Sequence, residues 1–376
     1  MAGDDWNLLA VRTRQAWALL PERPDGTIDW GDITLGHLDS GYTEHPYFGD
    51  VANGQSWLRP EDGLNVLEPG QLPEDPLDDE AARGKAADHG SRTLGVICAD
   101  STVSDDEVGT EIGVAPRLPS IPCRVVNSVV LMPAERRQAV ARGIEHWIEK
   151  NCQVISISLG VPDLVPTMAA ADMGEAIDAA YAQGIIVVAA AGQVIDAVTH
   201  PAMFHRTICC GASRRWRRVW FDDRHGRERI DVWAPGAGIT TLGLGADGPR
   251  LIEGDDPGGS SNDSTASLHS NKKLGKGPGT SHATTHVAAA AALWLRYRRA
   301  DIVAAYYGAA PSWHRIEAFR TLLRTTSGNI TTRGAGLAEH RSPVAGTLAG
   351  QVHPESGARS RRLRDAADRQ GPVRQL

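Results

Sequence analysis

Two kinds of hydrophobic pattern alternate along the middle of the chain. Val154 to Ile157, broken only by Ser156, and Ile185 to Ala191 are apolar blocks of strand length, the pattern of strands buried on both faces. Between them Met173 to Gln183 reads as a helix stopped by Gly184, and ahead of them Ala134 to Lys150 sets Val140, Ile144, Trp147 and Ile148 on one helical face. Strand, helix and strand at this spacing predict parallel strands joined by crossover helices. Further helices are predicted over residues 5–20, where Trp6, Leu9, Trp17 and Leu20 recur at near-helical spacing, and over Trp313 to Thr325. Ile33 to Leu38 reads as a short strand, and the alanine- and leucine-rich block Val287 to Leu295 as the body of one more helix.

Composition narrows the class without changing this picture. The chain has 376 residues, enough for one large α/β domain with extensions or two ordinary ones, and its 41% hydrophobic content fits a folded globular protein. A net charge of -7 argues against a general nucleic-acid binder, whose footprint is basic. The longest apolar runs are too short to span a bilayer, and Asp4, Asp5, Arg12 and Arg14 interrupt the first residues where a signal peptide would need an apolar stretch. Cys98, Cys123, Cys152, Cys209 and Cys210 are odd in number and lack a C-x-x-C spacing, so they read as small buried hydrophobes in a reducing compartment. A cytoplasmic protein is the expectation.

Several stretches fall outside the alternating pattern. Between residues 40 and 88 lies a proline-rich run holding Glu61, Asp62, Glu68, Glu74, Asp75, Asp78, Asp79 and Glu80, with a turn at Pro69-Gly70. It reads as a solvated acidic surface excursion; the sharper alternative is a cleft lining that favours basic substrate residues or holds a calcium ion. Gly243 to Gly277 is rich in glycine, serine and asparagine and is expected to be a mobile loop. Arg214-Arg215-Trp216-Arg217-Arg218 has the charge and aromatic content of a nucleic-acid contact, but it is short and sits in an acidic chain, so a surface loop before a strand is expected. From about Ser342 the arginines at 359, 361, 362, 364, 369 and 374 stand among few apolar residues, as in a disordered basic tail. The expected organisation is a helical extension over 1–30, a main domain over 31–341 and the tail over 342–376.

The candidate chemistry centres on Gly279-Thr280-Ser281-His282-Ala283-Thr284-Thr285-His286-Val287, which runs directly into the predicted helix. A serine at a helix start sits where unpaired N–H groups and the positive end of the helix dipole favour a developing negative charge. This stretch resembles the active-site serine motif of the subtilisin-like serine peptidases, G-T-S-x-A-x-P-H-V-A-G, departing from it at Thr285 and Ala289. Earlier, the predicted strand ending in Asp39-Ser40-Gly41 resembles the family's D-[ST]-G, and Asp88-His89-Gly90-Ser91-Arg92-Thr93-Leu94-Gly95 is similar to its H-G-T-x-V-A-G. Asp, then His, then Ser is the subtilisin order. Gly113-Val114-Ala115-Pro116 with Ile121 to Val126, Thr207 to Ala212, and Asp231 to Gly236 also resemble family turns and strands, so that the resemblance runs from Ile33 to Leu337.

The resemblance implies a three-layer α/β fold, a mostly parallel sheet with helices on both faces, and a serine endopeptidase that needs no cofactor for its reaction. In it Asp39 orients His89, His89 is the general base and Ser281 the nucleophile. Ser158, Leu159 and Gly160 would edge the substrate pocket together with Ala189, Ala190 and Ala191, and the partner would be a peptide or protein, not nucleic acid or membrane. Members of the resembled family are often made with a folding-assisting prodomain ahead of the aspartate; the residues before Asp39 leave no room for one, so either the chain is expected to fold unaided or that segment is absent from this sequence. Where the family has an asparagine that helps bind the oxyanion, this chain has Gln193, the same donor on a stem one methylene longer. Loss of such a donor costs about a hundred- to a thousandfold in turnover, the range found in a subtilisin. Gln193 and Thr285 therefore keep a second reading open, a weak or inactive pseudoprotease that binds peptides. Two other motifs fail on their chemistry: His282 and His286 have the spacing of a zinc-protease pair but Ala283 stands where its glutamate is needed, and Gly275-Lys276-Gly277 lacks the flanking residues of a phosphate-binding loop.

Overall fold

The computed structural model describes residues 5–76, 88–103, 111–127, 134–161, 168–193, 197–215, 218–219, 227–245, 248–252, 279–302 and 313–328. The basic tail, Gly334 to Leu337 and residues 253–278 of the glycine-rich stretch lie outside them.

The apolar blocks form the centre of one sheet. In chain order its strands are β1 (Leu35–Asp39), the short β4 (Leu64–Asn65), β5 (Ser120–Arg124), β6 (Val154–Ile157), β7 (Ile186–Ala190), β8 (Ile208–Arg214), β9 (Arg218–Val219) and β10 (Val232–Pro235). Their spatial order is β10-β8-β7-β6-β1-β5-β4, every neighbouring pair parallel, with β9 turned back antiparallel against β8. Two small hairpins stand apart, β2 (Gly49–Asp50) with β3 (Gln55–Ser56), and β11 (Thr241–Gly245) with β12 (Gly248–Ile252).

Successive residues of a strand face opposite sides, and here each side has its own core. From β7, Ile186 and Val188 enter one cluster and Val187 and Ala189 the other. The first cluster is closed by α3 (His89–Cys98), α6 (Thr280–Ile302) and α7 (His314–Thr326), and the second by α4 (Ala134–Glu149) and α5 (Met168–Ala182). This is the expected three-layer α/β arrangement with a mostly parallel sheet and helices on both faces. Close packing is strict: a Cβ added at Gly36 on β1 would stand 2.5 Å from the Trp147 ring of α4, so glycine is what allows helix and strand to meet there.

Some expectations change. The single helix over 5–20 is two, α1 (Trp6–Val11) and α2 (Thr13–Trp17), because Arg12 takes a left-handed conformation (φ 57) whose N–H turns back to the Leu8 and Leu9 carbonyls. The acidic excursion is not merely solvated: it supplies β4 to the sheet edge and buries Asp75. The glycine-rich stretch opens with the β11–β12 hairpin, and Arg218 lies in a strand. All five cysteines are buried and none forms a disulfide, and burial is the main cause that pushes the Cys98 and Cys152 thiols up to about 12. No helix among the described residues is long and apolar enough to cross a membrane.

Candidate active site

A parallel sheet ends all its strands on one side, and there the loops can bring distant residues together. Asp39 is the last residue of β1, Ser158 follows the end of β6, Gln193 lies three residues past β7, and His89 and Ser281 stand in the first turns of α3 and α6.

Asp39 and His89 are bonded. His89 Nδ1 lies 2.6 Å from Asp39 Oδ1, which also accepts the Ser40 backbone N–H at 2.8 Å. Asp39 is fully buried and His89 is 9% exposed. Burial pushes the Asp39 carboxyl up, but the charge and hydrogen bond of His89, joined by His37 and the Ser40 N–H, more than reverse it and hold the group below its usual range. A carboxylate on Nδ1 fixes the ring with Nε2 facing away from Asp39, the tautomer of a general base.

Ser281 is the second residue of α6 and is partly exposed. Its Oγ donates to the Ser158 carbonyl at 3.3 Å, while Ser158 Oγ donates to the Ser281 carbonyl at 3.1 Å. Among the described residues this carbonyl, and not a His89 nitrogen, is the acceptor for Ser281 Oγ. The next residue, His282, nevertheless feels the charges of His89 and Asp39, and α3 packs on α6, so the two helix starts are neighbours. Catalytic hydrogen bonds are commonly loose until substrate arrives.

Gln193 is tied to the same helix start. Its Oε1 accepts the Thr280 backbone N–H at 2.7 Å and the Thr280 hydroxyl at 3.0 Å, capping α6 from a neighbouring loop. Gly279 leaves open the space beside this amide: a Cβ there would stand 3.2 Å from Gln193 Nε2 and 3.6 Å from the Ser281 backbone nitrogen. The Gln193 amide and the Ser281 backbone nitrogen thus border one small volume, with Gln193 Oε1 3.3 Å from the same point. Of the substrate-edge residues, Ser158, Leu159 and Gly160 lie beyond the end of β6. Ala189 and Ala190 lie within β7 between β6 and β8, and the Ala191 N–H and carbonyl are taken by Cys210 and Thr199.

His282 and His286 are both buried, and burial lowers both, His286 to about 4. His286 donates from Nδ1 to the His282 carbonyl and accepts the Asn7 amide at Nε2, 3.0 Å away. Among the described residues no three His, Cys, Asp or Glu side chains gather as metal ligands.

Three contributors escaped the sequence reading. Asp75 accepts the Ser40 hydroxyl at 2.6 Å, the Ser91 hydroxyl and N–H at 2.5 and 3.1 Å, and the Thr43 hydroxyl at 3.1 Å. Ser40 Oγ in turn accepts the Gly90 N–H, so one buried carboxylate links the loop after Asp39 to the turn that carries His89. His37 and Thr93 lie behind Asp39, with the Thr93 hydroxyl 3.0 Å from His37 Nε2 and 3.3 Å from Asp39 Oδ2. Nothing local in the sequence marks these residues, because their meaning lies in pairings more than 15 positions apart.

Comparison with known proteins agrees with the fold and the order of motifs. The chain is 28% identical over 215 residues to the major intracellular serine protease of Bacillus subtilis (strain 168), covering 56% of this chain and 55% of that protein. It is 31% identical over 213 residues to subtilisin E of the same organism, covering 55% and 45%. The chain thus spans about half the length of the curated relatives it matches. Among solved structures, the prenylagaramide maturation protease PagA superposes with a TM-score of 0.54 at 17% identity, over 85% of this chain and 89% of that one, a likeness of fold. The subtilase family model matches residues 31–356, most of the sequence and all three motifs, and on that match the chain belongs to the subtilase family.

Proposed function

We propose that this chain is a serine endopeptidase that works through Asp39, His89 and Ser281. The observation that carries the reading is the 2.6 Å bond between a buried, charged Asp39 and His89 Nδ1, set beside the helix start that holds Ser281. A hydroxyl at that place becomes a nucleophile once it turns from the Ser158 carbonyl toward His89 Nε2. His89 then takes the Ser281 proton as Oγ attacks a peptide carbonyl, and Asp39 stabilises the imidazolium. The oxyanion is met by the Ser281 backbone N–H and the Gln193 amide nitrogen across the space left by Gly279. His89 gives its proton to the departing amine, and water repeats the cycle on the acyl-enzyme.

The substrate is an extended peptide or protein segment laid along Ser158 to Gly160, beyond the end of β6; Ala189 and Ala190 lie in the sheet, and the Ala191 N–H and carbonyl are taken by Cys210 and Thr199. Five buried cysteines with no disulfide among them support a reducing compartment, as do the relatives named as intracellular proteases.

A fluorophosphonate probe tests the activity. Covalent labelling that disappears in Ser281→Ala is the expected result; a folded chain that never labels overturns the proposal. That outcome would favour a peptide-binding pseudoprotease, the reading supported by Ser281 Oγ and Gln193 Oε1 both being engaged within the protein.

A further inference from the structure

Asp39 has two oxygens, and the proposed hydrolysis uses one. Oδ1 takes His89 and the Ser40 N–H; Oδ2 lies in a site with no water access, where an unpaired carboxylate oxygen is costly. Its partner is the Thr93 hydroxyl at 3.3 Å, with His37 Nε2 next in line at 3.9 Å. The Thr93 hydroxyl has one proton and three acceptors for it: Asp39 Oδ2, the His89 carbonyl at 2.8 Å and the Gly90 carbonyl at 3.1 Å. A helical threonine left to itself gives that proton to the preceding turn. What the ring of His37 does therefore matters.

The ring is 3.0 Å from Thr93 Oγ1 and fully buried, and its Nδ1 has no hydrogen-bond partner. If Nε2 is bare, it competes with Asp39 for the Thr93 proton. If Nε2 carries the proton, it donates to Thr93, frees that hydroxyl to donate onward, and turns the positive end of its dipole to the carboxylate. The negative charge on Asp39, 3.9 Å away, favours the second tautomer. The charged groups that face His37 are Asp39 and His89; its register neighbours on β5 and β6 are Pro122 and Ser156, neither ionisable. Burial also keeps the ring neutral, lowering it to about 4.

We infer that His37, as its Nε2–H tautomer, is a positioning residue for Asp39: through the Thr93 hydroxyl it holds Oδ2 in place and so aims Oδ1 at His89. Being fully buried, His37 touches no substrate and acts only through Asp39. The inference rests on the proposed hydrolysis for its effect on rate, but its effect on the Asp39–His89 bond is independent of turnover.

The test compares His37→Leu, which removes the donor, with His37→Gln, which returns an amide N–H at similar reach, and with Thr93→Val. Active sites are counted with the fluorophosphonate, and kcat, KM and the pH profile are measured on a peptide substrate. Expected is a fall in kcat of about tenfold for His37→Leu with KM unchanged, and an acid limb moved up by about half a pH unit as Asp39 loses a donor. His37→Gln stays within about threefold of the parent, and His37→Leu with Thr93→Val is no worse than either alone. The proton bridging His89 and Asp39, read by NMR, shifts in His37→Leu and not in His37→Gln. A chain that never labels overturns the hydrolase reading alone, because the bridging proton still reports on Asp39. An unmoved proton and profile in His37→Leu, or equal damage from leucine and glutamine, overturns the positioning role; if leucine prevents folding, Thr93→Val carries the same readings.

Discussion

Asp75 offers a test of the site's architecture that needs no substrate. It is a buried carboxyl between the Asp39 loop and the His89 turn, and burial pushes it up to about 6, with Ser40 and Ser91 opposing and Asp88 and Asp39 adding to the rise. In the unfolded chain the same group releases its proton near the usual 3.8. Between those values the folded state binds a proton that the unfolded state has lost, so this group makes stability fall as pH rises from about 4 to about 6. A shift of about two units corresponds to about 3 kcal/mol. Buried histidines act in the opposite sense over the same window: His37 and His286, lowered to about 4, stay neutral in the fold while the unfolded rings charge, so their contribution grows as pH rises. Total stability therefore does not isolate Asp75, but the difference from Asp75→Asn does, since the histidines cancel. The assay is urea unfolding followed by tryptophan fluorescence from pH 4 to 7, in a Ser281→Ala background to prevent self-digestion. The variant should gain on the parent by about 3 kcal/mol across the window, above a constant offset for one lost acceptor. A difference that stays flat with pH would mean that Asp75 ionises normally, and would remove the case for a strained carboxylate behind the site.

Other substitutions probe separate links. Gln193→Ala should lower kcat by about a hundred- to a thousandfold and stability by only about 1 kcal/mol, because it removes one oxyanion donor and one helix cap; kinetics and thermal melting read the two effects apart. Gly279→Ala puts a methyl carbon 3.2 Å from Gln193 Nε2, and should cut labelling by the fluorophosphonate at least tenfold while the melting temperature hardly moves. Asp231 is buried among Arg229 and Arg324, each 2.9 Å away, and Arg320 at 3.3 Å. Asp231→Asn should cost about 3 kcal/mol by removing the buried carboxylate that faces the largely buried Arg229 and Arg320, Arg324 being exposed, with activity per folded molecule unchanged.

What could be read ahead of the structure follows from where the information sits. The run from Ile185 to Ala191 is apolar at every position because β7 is covered on both faces, so the central sheet was legible from one segment at a time. The same holds for Ser281, whose neighbours in sequence are also its neighbours at the helix start. Arg12 was not legible: an arginine in a left-handed conformation leaves no local mark, and α1 and α2 read as one helix. Asp75 stands in a run of acids, and what selects it for burial is a pair of hydroxyls, Ser40 and Ser91, that approach from 35 and 16 positions away. His37 looked like one position of a short strand. Its significance depends on Thr93, which lies on another element.

These two blind spots share a cause that bears on how the site works. Asp39, His89 and Ser281 can be placed by motif because, in the proposed hydrolysis, each must keep its own chemistry, whereas the groups that hold them need only supply a donor or an acceptor at the right distance. Asp75 restrains the backbone on either side of the Asp39–His89 pair, and His37 with Thr93 restrains the free oxygen of the carboxylate. The first fixes where the pair sits and the second which way it points, so damage to them should differ in kind. Loss of Asp75 should show first in stability, and loss of the His37 donor in kcat. A variant of either that reversed this order would show that the two restraints are not separate.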